Sequence, residues 1–401
     1  MSNRQVTTTQ TEFVILVASL ISLVALSIDA MLPALPQIGQ SLGNESENDR
    51  QLIVSFLFFG LACAQLLFGP LSDSYGRRPA IFAGLGIFLI GCLISAFATS
   101  FSMMLVGRFL QGFGVAGPRI VTVAIVRDRF EGRAMAQIMS LVMMVFIIVP
   151  ALAPGVGQLV LFVADWRMIF VLLIALAMIS LVWFHYRQPE TLPLEKRRPF
   201  AFSTIAAAFL ETIRNRISCG YTIAGGFIFG AFLGYLNSVQ QIYQDAYDTG
   251  EMFSVYFGAL ALSLGLASWA NSSLVMKHGM RKLSLIALTV MVGLSFAFLP
   301  VTLSYSGLPP LWMTVIWQMT SFFFIGMLFA NFNALAMEPM GHIAGSASAV
   351  IGSLMTFMSL VFGGMVGQAF DGTILPLNLG FALLGLASLG VMVWIERTRT
   401  D

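Results

Sequence analysis

Charge is scarce in this chain: Asp, Glu, Lys and Arg make up 10% of its 401 residues, against about 25% in an ordinary soluble domain. With 58% of the residues hydrophobic, that scarcity excludes a water-soluble fold, whose interior could not hide so much apolar surface. Cysteine is scarcer still. Cys63, Cys92 and Cys219 fall within or at the edge of apolar runs and form no C-x-x-C pattern, which argues against a disulfide framework or a thiolate metal site. His185, His278 and His342 lie far apart in sequence, so no metal cluster is expected from them. Also missing are paired carboxylates, a nucleophile beside a base, and the repeated rings of charge that line a pore. Their absence argues against a membrane enzyme or a channel. The net charge of +2 is spread over many short segments, leaving no basic domain for nucleic acid. No cofactor is expected.

Long apolar runs fill the space. Twelve approach the ~20 residues needed to cross a bilayer: 13–37, 51–71, 79–98, 101–126, 135–160, 166–186, 217–240, 252–274, 283–304, 311–335, 343–369 and 375–395. Lipid forces each to be helical, because backbone groups must bond within the segment. The first run begins behind a polar leader, is too long for a signal-peptide core and shows no small-residue cleavage site. The expected fold is therefore all-α and integral to the membrane, with twelve transmembrane helices in two six-helix bundles. The bundles are residues 1–187 and 217–401, joined by a cytoplasmic linker, 188–216, rich in charge and proline. Within the linker Phe202, Ile205, Phe209 and Ile213 recur at helical spacing, suggesting a short helix on the membrane face or an extension of span seven.

The bases give orientation. Of the 21 Lys and Arg, 17 fall on the side shared by the two termini, and the opposite loops hold only Arg50 and Arg167. The positive-inside rule places both termini in the cytoplasm. A weak repeat joins the halves: Leu71, Gly76 and Arg78 recur 203 residues later as Leu274, Gly279 and Arg281, while Met276 stands where Asp73 would.

Within the spans lie one acid, Asp29, and two bases, Arg108 and Arg119, both in span four. An ionisable group at membrane depth faces a partner or a water-filled cavity. Asp29 and Arg108 are each about seven or eight residues from the outer ends of their spans, a depth of roughly 10–12 Å, so they can pair if the helices are neighbours. Asp29 then has either a functional role or a structural one as half of an ion pair. Arg119 is nearer the cytoplasmic end and can snorkel. Met135, Met139 and Met143 form a stripe in span five, either helix-packing core or an adaptable binding surface. Tyr235, Asn237 and Gln241 in span seven, with Trp317, Gln318 and Asn331 in span ten, supply aromatic and polar groups for a cavity.

Residues 69–78, Gly-Pro-Leu-Ser-Asp-Ser-Tyr-Gly-Arg-Arg, place a turn (Gly69, Pro70, Gly76), an acid (Asp73) and paired bases (Arg77, Arg78) on a short loop between spans two and three. This decapeptide resembles the loop 2–3 signature of the major facilitator superfamily of secondary transporters. The run Leu105 to Gly114, containing Arg108, Gln111 and Gly112, resembles the span-four motif of proton-linked members. Pro150 to Gly157, with Pro154 and Gly155, is similar to the span-five antiporter motif, with Ala153 in place of a glycine. Asp29-Ala-Met-Leu-Pro33, Arg127-Asp128 and Glu190-Thr-Leu-Pro193 resemble the Bcr/CflA drug-resistance branch, although Met31-Leu32 departs from its Tyr-Leu.

The resemblance implies proton-coupled export of drug-like small molecules across a bacterial inner membrane by a monomer whose two bundles rock around a central cavity. Asp29 and Arg108 would couple protons, since desolvation and the neighbouring guanidinium act oppositely on the acid. Asp29, Arg108, Gln111, Met139, Met143, Tyr235, Asn237, Gln241, Trp317 and Asn331 would meet substrate. Gly69, Asp73, Gly76, Arg77, Arg78, Pro154 and Gly155 would gate the motion, Asp73 meeting the start of span eleven. The alternative is a dedicated transporter of one metabolite, including an uptake symporter.

Overall fold

The computed structural model describes residues 9–43, 46–197 and 199–397. Arg4, Arg198 and Arg399, counted among the bases above, lie outside the described residues, as do the side chains at positions 136, 143, 146 and 147. All regular structure among the described residues is helical. The order is α1 (Gln10–Asp29), α2 (Leu35–Ser41), α3 (Leu52–Tyr75), α4 (Arg77–Ala96), α5 (Phe101–Arg129), α6 (Gly132–Val163) and α7 (Arg167–Arg187). It continues with α8 (Phe202–Arg214), α9 (Arg216–Gln240), α10 (Phe253–His278), α11 (Met280–Ser304), α12 (Leu311–Met337), α13 (Ala344–Gln368) and α14 (Leu375–Arg397). Counting α1 with α2 as one span and setting aside α8, these are twelve spans. Helix ends are capped from the sequence: Ser100 Oγ accepts from the Met103 amide at 3.3 Å at the start of α5, and Asn215 Oδ1 accepts from Ile217 and Ser218 at 3.1 and 3.0 Å at the start of α9. Large apolar side chains such as Val163, Ile179, Trp269 and Trp312 stand exposed, as lipid-facing positions should.

Two expectations are corrected. The first span is not one helix over 13–37. Proline at 33 has no amide to bond the Asp29 carbonyl, and its ring crowds that oxygen. Accordingly α1 stops at Asp29, a 3₁₀ turn spans Leu32–Ala34, and α2 restarts with Pro36 in its first turn, where a missing amide is tolerated. Second, Gly69 and Pro70 do not form a turn. The helix α3 runs through both to Tyr75, because an irregular backbone at that depth would lack partners. The connection shrinks to Gly76, whose φ of +107° lies in the region glycine favours. Gly279 takes φ +75° between α10 and α11, so the repeat seen in sequence is a shared backbone requirement. The linker helix is separate from span seven, Asn215 dividing α8 from α9.

The chain forms two compact units, Met1–Gly43 with Phe59–Phe202 and Asn44–Phe58 with Ser203–Asp401. In the first, α4 lies along α5 and against α7, while α1 packs on α5, α6 and α7. In the second, α9 lies along α12, α13 and α14, and α12 is flanked by α10 and α11. Aromatic rings fill this second core. Tyr235 and Phe322 meet edge to face at 4.6 Å, and Trp317 stacks on Phe298 at 5.1 Å.

Candidate functional site

The break in span one organises the first unit. Ending α1 at Asp29 frees its last carbonyls, and the Ser27 carbonyl accepts from Nη2 of Arg108 at 2.9 Å. Arg108 is fully buried in α5. Its Nη1 donates to Oε1 of Gln111, one turn along, at 2.6 Å. Gln111 Nε2 donates in turn to Ser95 Oγ at 2.8 Å and the Gly91 carbonyl at 3.2 Å. The guanidinium therefore sits at the negative end of the α1 dipole, where a cation is favoured, and is anchored to α4 through Gln111. Asp29 is buried, 5% exposed. No ion pair among the described residues includes it. The side-chain pair with Arg108 anticipated from matching depth is not formed; Arg108 reaches the first span through the Ser27 carbonyl.

Span five closes on the same break. A Cβ at Gly157 would fall 1.7 Å from the Ala30 carbonyl oxygen, whereas at Gly155 it would meet nothing within 4 Å. Of the two glycines in that motif, Gly157 makes the contact. Pro154 stands inside a continuous α6. Met139 is half-buried on α6; the Met143 side chain lies outside the described residues. Arg119 is half-buried on α5.

A second cluster gathers around Gly76. Arg77 is buried and spreads its guanidinium over three acceptors: Asp73 Oδ1 at 2.5 Å, Ser72 Oγ at 2.8 Å and Asp128 Oδ2 at 2.9 Å. Glu190 caps α4, its two carboxylate oxygens accepting from the backbone amides of Arg77 at 2.9 Å and Arg78 at 3.0 Å. An acid there satisfies orphan amides and complements the helix dipole. The Arg78 side chain donates to the His185 carbonyl at 2.9 Å, and Thr191 Oγ1 donates to Asp128 at 3.0 Å. Asp128 and Glu190 carry the family resemblance in the sequence but no site role there. Their signal lay in the Arg127-Asp128 and Glu190-Thr-Leu-Pro193 stretches, which here converge on the loop 2–3 signature.

In the second unit the anticipated cavity residues divide. Asn237 Oδ1 accepts from Ser55 at 3.3 Å, and Gln241 bonds Gln51 at 2.5 Å and Asn48 at 2.7 Å. Gln51 also donates to the Gly367 carbonyl at 2.9 Å. Buried Arg50 pairs with Asp245 in the π-helical turn Gln241–Ala246 that ends span seven. Asn237 and Gln241 thus hold residues 46–58 to α9 and α13. Asn331 exchanges two bonds with Asn271, at 3.0 and 3.1 Å. Tyr235 and Trp317 are buried in the aromatic core, and the Trp317 indole N–H finds no acceptor among the described residues. On the same helix, Gln318 accepts from the Tyr243 hydroxyl at 2.7 Å.

Known proteins resemble this arrangement along most of the chain. The family model described as Major Facilitator Superfamily matches residues 17–364. The MFS-type transporter YdgK of Bacillus subtilis is 32% identical over 349 residues, 85% of each chain. A bicyclomycin resistance protein homolog of Haemophilus influenzae is 27% identical over 369 residues, 91% of each. A solved structure of the nucleoside transporter NupG superposes with a TM-score of 0.73 at 15% identity, covering 97% of this chain and 100% of its own; at that identity the likeness concerns the fold alone.

Proposed function

On the premise that the chain belongs to the major facilitator superfamily, and is a multi-pass membrane transporter rather than an enzyme, we propose that it exports drug-like small molecules in exchange for protons. The observation that carries this reading is Asp29, a buried acid at the broken end of span one, two residues from the Ser27 carbonyl that the Arg108–Gln111 network engages. Discontinuous spans place helix ends and freed carbonyls where ions and protons bind in secondary transporters. In this reading the chain lies in a bacterial inner membrane with both termini in the cytoplasm and works as a monomer.

Asp29 releases its proton on the cytoplasmic side as substrate enters, and regains one from outside as substrate leaves. Arg108 holds a fixed positive charge at the α1 end and keeps the carboxylate tolerable when ionised. One pH unit is worth about 1.4 kcal/mol and 100 mV adds about 2.3 kcal/mol per charge. One proton per neutral substrate then sustains a gradient of a few hundredfold. Gln111, Met139, Met143, Tyr235 and Trp317 are proposed to touch substrate, with Asn237, Gln241 and Asn331 bonding it when their present partners release them. The Gly76 cluster, with Asp73, Arg77 and Arg78, and the Pro154-Gly155 stretch control which side is open.

The test is drug susceptibility and drug-induced proton movement in a pump-deficient bacterium carrying wild type or Asp29→Asn at matched surface levels. Protection against several unrelated drugs by wild type, abolished with the proton signal in Asp29→Asn, is the expected result. Equal protection by both overturns the role of Asp29. Protection by neither replaces drug export with a dedicated metabolite carrier.

A further inference from the structure

One face of α8 is held and the other is bare. Ala208 and Thr212 are buried, and Glu211 bonds His342, before α13, at 2.5 Å. On the opposite side Phe202 is 68% exposed, Phe209 41%, Leu210 48% and Ile213 43%. Positions 202, 209 and 213 are separated by seven and four residues and so share a helical face, with 210 flanking it. Four large apolar side chains within thirteen residues form a contiguous patch, which a soluble surface avoids.

The helix has little freedom to carry that face elsewhere. Asn215 alone separates α8 from α9, and its side chain caps α9. The first residue of α9, Arg216, lays its guanidinium over the Trp394 ring at 4.1 Å and donates to the Trp394 carbonyl at 2.8 Å. Trp394 is itself 55% exposed. An Arg on an exposed Trp at the ends of two apolar spans marks the level of the bilayer–water boundary. Arg214, exposed and closing α8, stands at that level too.

We infer that α8 docks on the anionic phospholipid surface of the leaflet nearest the chain termini. Phe202, Phe209, Leu210 and Ile213 enter the acyl boundary, and Arg214 with Arg216 meets lipid phosphates. Basic charge at the polar edge of an apolar helical face fits such a surface better than it fits neutral lipid or another basic chain. The inference does not depend on what the transporter carries.

Hydrogen exchange of the full-length protein, followed over residues 202–214, provides the test. Nanodiscs would contain either phosphatidylcholine alone or phosphatidylcholine mixed with phosphatidylglycerol. The anionic discs should slow exchange in α8, and Arg214→Gln should remove about fivefold of that slowing, the share of one base near such a surface. Phe209→Ser with Ile213→Ser should abolish protection in both lipids while exchange in α10 and α12 stays unchanged, showing that the fold persists. Equal exchange in the two lipids, or no response to the double variant, overturns the inference. So does protection that follows the number of protein copies per disc instead of lipid charge, since a second copy would then be the occupant.

Discussion

Two glycines two residues apart in α6 separate a packing requirement from mere motif membership. Gly157→Ala drives a methyl group into the Ala30 carbonyl, whereas Gly155→Ala meets open space. Overpacking of this kind costs about 1–3 kcal/mol. Thermal unfolding in detergent should fall clearly for Gly157→Ala and stay unchanged for Gly155→Ala. A second prediction concerns Arg108, whose planar fork serves Gln111 and the Ser27 carbonyl together. Lysine keeps the charge but not the fork, so Arg108→Lys should retain surface expression yet reduce transport at least about tenfold, read as initial rates in everted vesicles. The sequence singled out Asp29, Arg108 and Gln111 because membrane depth makes ionisable groups rare and motif spacing marked the amide. For Glu190 and Asp128 the sequence offered a motif but no role, since an acid in a polar segment is by default solvated and nothing local says what folds back onto it. Gly157 escaped for a related reason: close approach belongs to the partner backbone, which no single run of residues displays.

At the scale of the element, the break between α1 and α2 interrupts the first span right after Asp29. Pro33→Ala restores an amide opposite the Asp29 carbonyl. The variant should extend α1, hold or raise the unfolding temperature, and lower transport, because the freed carbonyls around Ser27 would be reclaimed. Unchanged transport with a longer helix would detach the break from function. The cap of α4 makes another prediction. Glu190→Gln should cost about 1 kcal/mol by removing charge from the amides of Arg77 and Arg78, measurable as a lower unfolding temperature. Span positions were legible because hydrocarbon thickness sets their length. The interruption at Pro33 was visible as residues but not as geometry: proline is common enough in membrane helices that its presence alone does not decide between a kink and a stop. At Gly69 and Pro70 the same ambiguity fell the other way, and the helix continued.

On the scale of the whole molecule, residues 44–58 belong with the second unit although the rest of α3 belongs with the first. Arg50 with Asp245, Gln51 with Gln241 and Gly367, and Asn48 with Gln368 and Phe370 hold that segment in place. Arg50→Ala should speed hydrogen exchange in residues 46–58, and the exchanged pair Arg50→Asp with Asp245→Arg should restore it in part. Unaltered exchange in the single variant would assign the hold to the neutral amides. Hydropathy reveals where a chain crosses a membrane, and it is silent on which neighbour each end of a crossing chooses. The Glu190 cap also bears on the order of synthesis. Arg77 leaves the ribosome 113 residues ahead of the carboxylate that will cap it, an interval of roughly 6–23 s at about 5–20 residues per second. For the first 51 residues of that interval, until Asp128 is made, Asp73 is the only acid of the cluster yet present. That is the period in which positive charge orients helices at a membrane. The same residues thus serve first as a signpost with few acids about it and afterwards, once the sixth span has passed, as a knot tied by Asp128 and Glu190.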